Sequence, residues 1–217
     1  MSLPWEQVVG SLRAHLASAT LPSVSAIARA DRSPFRVLVS TMISLRTRDE
    51  VTLAASHRLL SAAATPAELS ALSEPRIAEL IYPAGFYRTK ATHLRVACRL
   101  IVERHSGEVP ASIDALTALP GVGRKTANLV LGLGFGIDAI CVDTHVHRIA
   151  NRCGWVASRG PHETEVELER ILPRQYWIEI NELLVAHGQV TCTPISPKCS
   201  SCPIAWQCRR VDVVRSR

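Results

Sequence analysis

The sequence predicts an all-α fold, and three observations carry that prediction. Apolar residues recur at helical spacing through nearly all of the 217-residue chain. Alternating strand patterns are almost absent, and Ser/Thr–Pro pairs stand where helices should begin. Hydrophobic residues make up 47% and charged residues 20%, a balance that suits a folded globular chain and argues against general disorder. Aromatics are only 5%, so the core must rest mainly on Ala, Leu, Ile and Val.

The elements follow in order. Ser33-Pro34 supplies a cap and a first-turn proline, after which Phe35, Leu38, Met42 and Leu45 fall on one face. Thr65-Pro66 and Ser73-Glu74-Pro75 punctuate in the same way. Thr89 is placed to cap a helix whose Leu94, Ala97, Cys98 and Ile101 form a stripe, with Gly107 at its C-terminal stop. Ser112 opens a short helix ending near Leu119, and a second runs from about Arg124 to Phe135. A third starts near Asp143 and stops at Gly154, followed by helices near residues 162–172 and 174–187. No repeat, low-complexity stretch or Gly/Ser linker divides the chain.

Lys and Arg number 25 against 19 Asp and Glu, a net charge of +6 with pI near 9.2. A basic excess is consistent with a polyanionic partner, because Lys and Arg gain by displacing counterions from phosphates, although many basic proteins bind no nucleic acid. No apolar run reaches the length of a bilayer span: the longest, Leu129 to Cys141, is broken by Gly132, Gly134, Gly136 and Asp138. The N-terminal Met-Ser-Leu-Pro-Trp-Glu lacks the basic and apolar regions of a secretory signal, so a cytoplasmic location is expected. In a reducing compartment, seven cysteines point to metal or chance rather than disulfides.

Two motifs carry chemistry. Leu119-Pro120-Gly121-Val122-Gly123-Arg124-Lys125-Thr126-Ala127 lies between two expected helices. So tight a hairpin needs glycine, for unusual backbone angles and for close approach by something outside. The N–H groups that open the second helix would face an anion such as a phosphate. This reads as a helix-hairpin-helix element; an ordinary helix–helix turn is the plainer reading, favoured if Pro-Gly-x-Gly stood alone. Lys125 sits in the first turn of its helix, where the dipole disfavours a cation. That position is poor for a structural lysine but helps a nucleophile, since a lowered pKa increases the neutral amine. Asp143, at the head of Val142-Asp143-Thr144-His145, is compatible both with a plain N-cap and with a carboxylate aimed at a reacting centre.

The second motif is Cys192, Cys199, Cys202 and Cys208, spaced C-x6-C-x2-C-x5-C. Structural zinc usually takes two well-separated C-x2-C knuckles, and only Cys199/Cys202 has that spacing. A compact run of four thiolates with no histidine suits a [4Fe–4S] cube better. Cys98, Cys141 and Cys153 read as small buried apolar residues.

Hairpin, Lys125, Val-Asp143-Thr-His and this cysteine spacing, in this order, resemble the endonuclease III family of DNA glycosylases, from about Pro34 to Cys208. The resemblance implies two helical domains flanking a DNA-binding cleft. One would be a six-helix domain over residues 26–137; the other would join residues 1–25 to 138–217 and hold the cluster. It implies a bifunctional glycosylase and abasic-site lyase that extrudes a damaged base, usually an oxidised pyrimidine, and cuts its glycosidic bond. Lys125 would attack C1′ and form a Schiff base, with Asp143 assisting. Gly121 and Gly123 would let the backbone approach a phosphate, and the cluster would hold the loop between Cys192 and Cys199 against DNA. The partner would be duplex DNA carrying damaged bases or abasic sites, engaged by a monomer at the bacterial nucleoid.

Three departures from the family pattern stand out. The Thr193–Lys198 loop has Lys198 as its only cation. Arg46 stands where the family often has glutamine filling the space of the extruded base, and Phe86 stands at a wedge position that is often aliphatic. For Phe86 the plainer reading is ordinary core. His145 is assigned either to the DNA backbone or to its helix start, and Arg209 and Arg210 equally to solvent or DNA. Rival readings are a single-function mismatch or adenine-type glycosylase of the same superfamily, and a non-catalytic iron–sulfur DNA-binding module or redox sensor. The single-function enzymes generally lack a lysine at position 125, and neither non-catalytic role needs a nucleophile.

Overall fold

The computed structural model describes residues 3–217, so the first two residues of the N-terminal stretch discussed above lie outside the described part. Among the described residues there is no strand, and no helix is long and apolar enough to cross a membrane. The chain divides into two compact units, Ser23–Ile137 and a second that joins the residues up to Pro22 to Asp138–Arg217.

The unit Ser23–Ile137 contains α2 (Ser23–Ala30), α3 (Pro34–Ser44), α4 (Asp49–Ala62), α5 (Pro66–Ala71), α6 (Glu74–Ile81), α7 (Tyr87–His105), α8 (Ile113–Thr117) and α9 (Arg124–Leu129). Helix α3 is its axis, touching α2, α4, α7, α9 and the segment after α9. It can do so because it buries all the way round, from Phe35 through Val37, Leu38, Val39, Met42 and Ile43. Each such aliphatic side chain contributes roughly 1.5–3 kcal/mol on leaving water. Its start is set as expected: Ser33 caps the Arg36 amide at 3.4 Å, with Pro34 at the first position. Thr65 and Glu68 form a reciprocal capping box at α5, and Ser73 and Ser112 cap α6 and α8.

Four expectations about element boundaries are corrected. Thr89 is not the cap of α7, which begins at Tyr87 behind a left-handed Phe86. Leu45 lies past the end of α3 rather than on its inner face. The run 124–135 is not uniformly α-helical: past Leu129 it widens into a π-helix over Val130–Phe135 and ends at a left-handed Gly136. Residues 174–187 split into a 3₁₀ turn at Arg174–Tyr176 and a later α-helix.

The other unit contains α1 (Trp5–Leu16), α10 (Thr144–Cys153), α11 (Pro161–Ile171) and α12 (Glu179–Val190). Trp5, Val8, Val9 and Leu12 of α1 share one core with Val146, Ile149, Leu168, Ile180 and Leu184. The Trp5 and Trp155 rings meet edge-on with centroids 4.9 Å apart. The chain's first helix therefore completes the hydrophobic core of its C-terminal part. A bidentate pair between Arg13 and Glu179 (2.8 and 2.6 Å) fixes α1 on α12 at the surface.

Candidate active-site and cluster-binding residues

In the unit Ser23–Ile137, the hairpin joins α8 to α9. Gly121 has φ +79°, and a Cβ there would come within 2.8 Å of His93 Nδ1, so both backbone and space demand glycine. Gly123 is different. Its backbone is extended (φ −93°, ψ 175°), and a Cβ would meet nothing within 4 Å. The expectation that both glycines serve unusual angles holds for Gly121 only; inside this chain nothing requires glycine at 123. Lys125 follows in the first turn of α9, half-buried, behind the cap residue Gly123.

The same unit exposes a second feature. Phe86 is 62% exposed, so the ordinary-core reading of this ring is wrong. Its neighbour is Arg46, whose guanidinium carbon lies 5.5 Å from the Phe86 centroid, within cation–π range. Both residues have left-handed backbones, φ 53° at Arg46 and 58° at Phe86, which is uncommon for bulky side chains. Sequence reasoning missed what lies beneath them. Lys90, only 7% exposed, donates from Nζ to Ile43 O (2.7 Å), Leu45 O (2.6 Å) and Thr47 Oγ1 (2.8 Å). Burial lowers its pKa from 10.5 to about 8, which leaves it mainly protonated at neutral pH. Three donors meet three acceptors.

In the other unit, Asp143 is the N-cap of α10. Its Oδ1 accepts from the amides of His145 (2.8 Å) and Val146 (2.9 Å), so both capping bonds fall on one oxygen. The capping expectation holds, and the second oxygen stands outside the cap. His145 is half-buried, its Nδ1 3.1 Å from Arg148 Nη2 and its ring against Gly188 of α12. Arg209 and Arg210 are exposed.

All seven cysteines are free thiols. Cys98, Cys141 and Cys153 are buried, as expected, and burial pushes the Cys98 thiol up to about 12. Cys192, Cys199, Cys202 and Cys208 line a single cavity, together with Cys153, His187, Arg152, Lys198 and Arg210. Arg152 reaches the first of them, with Nη1 3.6 Å from Cys192 Sγ, and holds the following loop by its carbonyls at Thr193 (2.7 Å) and Pro194 (2.6 Å). Among the described residues, no three His, Cys, Asp or Glu side chains converge on a point suited to one ion. A [4Fe–4S] cube takes four thiolates and, with them, is anionic, so the surrounding arginines and lysine complement it. The four cysteines fit such a cluster by donor type and by charge.

A model of the HhH-GPD superfamily base excision DNA repair proteins matches residues 39–174. Endonuclease III of Thermotoga maritima is 47% identical over 178 residues, covering 82% of this chain and 84% of that protein. Endonuclease III of Escherichia coli K12 is 36% identical over 184 residues, covering 83% and 87%. Among solved structures, a trapped endonuclease III–DNA covalent intermediate in an estranged-adenine complex aligns with TM-score 0.83 and 32% identity, covering 96% of this chain and 97% of that one.

Proposed function

Since the chain belongs to the endonuclease III family of HhH-GPD base excision DNA repair proteins, we propose that it is a bifunctional DNA glycosylase and abasic-site lyase, working as a monomer on duplex DNA with oxidised pyrimidines or abasic sites. The observation that carries this reading is Lys125 in the first turn of the helix that follows the Gly-Val-Gly hairpin, in a chain that aligns almost end to end with a protein trapped as a covalent DNA intermediate. A covalent intermediate requires a nucleophile, and an amine is one that can form an imine with a sugar.

In this mechanism the Lys125 nitrogen lone pair attacks C1′ of the extruded nucleotide and the glycosidic bond breaks, with the base leaving as it takes up a proton. The sugar ring opens to a Schiff base between Lys125 and C1′. Loss of a C2′ proton then expels the 3′ phosphate by β-elimination. Asp143 accepts the proton that the attacking amine must shed and offsets the positive charge that grows on the sugar. Its use of Oδ1 alone for the cap supports this role, because Oδ2 is not committed to the helix. Gly123 supports the role of the hairpin: a residue that the fold does not require as glycine leaves room for a phosphate to approach the backbone. Arg46 and Phe86 form the wedge that fills the space of the extruded base, and His145 is assigned to the DNA side of its helix start.

We assign a [4Fe–4S] cluster to Cys192, Cys199, Cys202 and Cys208. When bound it supplies structure rather than bond chemistry, ordering the loop that carries Lys198. Purified protein is expected to contain about four irons per chain, and Cys199→Ser should lose iron, compactness and DNA binding together. Stoichiometric zinc in a fully folded protein, measured by metal analysis, would exclude the cluster.

Borohydride trapping tests the proposed activity. With a duplex carrying an oxidised pyrimidine, hydride addition to the imine should give a permanent protein–DNA adduct. Base release without any adduct would instead indicate a single-function enzyme in which water attacks. A separate prediction concerns the wedge. Phe86→Ala should slow single-turnover release from duplex by about 10-fold or more, since an inserted ring offsets a few kcal/mol of unstacking. Equal rates for variant and parent on duplex would remove Phe86 from the mechanism.

A further inference from the structure

The exposed pair Arg46 and Phe86 is built on strain. A left-handed conformation is unfavourable for a bulky residue and persists only where its surroundings over-determine it. Two such residues, from segments forty positions apart in sequence, stand with ring and guanidinium in contact. Strain of this kind needs a source of restraint.

Lys90 supplies it. Ile43 O and Leu45 O lie at the C-terminal end of α3, where helix carbonyls lack intrahelical partners and the dipole favours a cation. Leu45 immediately precedes Arg46, and Thr47 immediately follows it. The ammonium therefore grips the backbone carbonyl on one side of Arg46 and the hydroxyl on the other. Thr47 Oγ1 carries the link onward by accepting from the amide of Gly85, at 3.0 Å, which immediately precedes Phe86. On its other side Phe86 is tied through its carbonyl, which accepts from the Lys90 amide at 3.0 Å. The two loops touch so closely that a Cβ on Gly85 would fall 2.4 Å from Arg46 O. The Lys90 ammonium thus holds both flanks of Arg46 directly and reaches the flank of Phe86 through Thr47, while the Lys90 amide holds the Phe86 carbonyl.

We propose that Lys90 is a positioning residue for duplex damage recognition: through Leu45 O, Thr47 Oγ1 and Gly85 N it holds Arg46 and Phe86 preassembled as an exposed wedge. This rests on the reading of the protein as an enzyme acting on duplex DNA. Without the cross-link, the pair has to be ordered anew each time it enters a base stack, and that cost falls on duplex substrates. A single-stranded abasic site has no stack to open. The effect is therefore a selective loss, and a lysine that merely stabilised the fold would lower both activities alike.

The test is the ratio of single-turnover rates, duplex with an oxidised pyrimidine over single-stranded abasic DNA, measured on iron-loaded protein at neutral pH. Lys90→Met, which keeps the length and apolar stem, should lower that ratio by about 10-fold, the change that corresponds to about 1.4 kcal/mol. Thr47→Val removes the relay hydroxyl without touching the lysine and should lower the ratio in the same direction, while Thr47→Ser should restore it. If Lys90→Met does not fold, the Thr47 pair decides alone. An unchanged ratio in the folded variants overturns the proposal, whatever happens to melting temperature or overall rate. Failure of the parent protein to trap or cleave either substrate is a distinct result: it removes the enzyme reading, and with it the role given to Lys90.

Discussion

Lys125→Gln is expected to abolish borohydride trapping while leaving affinity for damaged duplex within a few-fold of the parent. Gln cannot form an imine, so no later step can substitute for the missing bond. The loss in strand cleavage should be on the order of 10⁴-fold or more, the scale seen when a covalent nucleophile is removed from an otherwise intact site. Binding should survive because the phosphate contacts of such an interface are many and each neutralised phosphate contributes separately; losing one cation lowers the salt dependence of binding by about one unit. The fold should survive too. Lys125 is half-buried at the start of α9, whereas the helix is held by Thr126, Ala127 and Leu129, which are buried. Gln is also an adequate helix former. Gel detection of the adduct, alongside binding titrations at two salt concentrations, checks both halves. An adduct that persists in Lys125→Gln would assign the nucleophile to another amine.

The parts of the molecule that were legible in the sequence are those whose causes are local. Ser33-Pro34, Thr65-Pro66 and Ser73 announce helix starts because each cap bonds an amide only three residues away. Asp143 was legible as a cap for the same reason. The cysteine spacing was legible because the four cysteines that line one cavity lie close in sequence. What could not be read depends on distant partners. Lys90 looks like one more cation beside the apolar stripe of α7, yet its acceptors lie 43 to 47 residues upstream. The start of α7 is not legible at Thr89 because its cap residue, the left-handed Phe86, makes no side-chain cap bond and so carries no local signal. Helix α4 is hard to read in the sequence because its inner face carries Thr52 and Ser56 beside Ala55, Leu59 and Leu60, which blurs the apolar pattern. A signal for Lys90 did exist in principle. It is a cation in the first turn of α7, where the dipole disfavours one, as it does at Lys125 in α9.

Asp143→Asn should separate chemistry from architecture in the unit built on α1, α10, α11 and α12. Asn is about as good a cap as Asp, and its amide oxygen can accept from His145 N and Val146 N as Oδ1 does now. Thermal stability should therefore shift by no more than about 1 kcal/mol. What is lost is the negative charge and the ability to take a proton. A general base contributes roughly 10²- to 10⁴-fold, and stabilisation of developing positive charge adds to that, so turnover should fall by at least about 10²-fold. Affinity for damaged duplex should stay equal or rise, since an anion near a phosphate backbone opposes binding and the substitution removes it. The fall in turnover at retained stability and affinity distinguishes the proposal from a purely structural aspartate. A residue needed only as a cap would, on conversion to Asn, leave rate and affinity unchanged. One needed for fold would lower stability, affinity and rate together. Retained melting, retained or tighter binding and slow base release are the three observations required at once. A variant with parental turnover would return Asp143 to its helix and leave the amine to be deprotonated by another group.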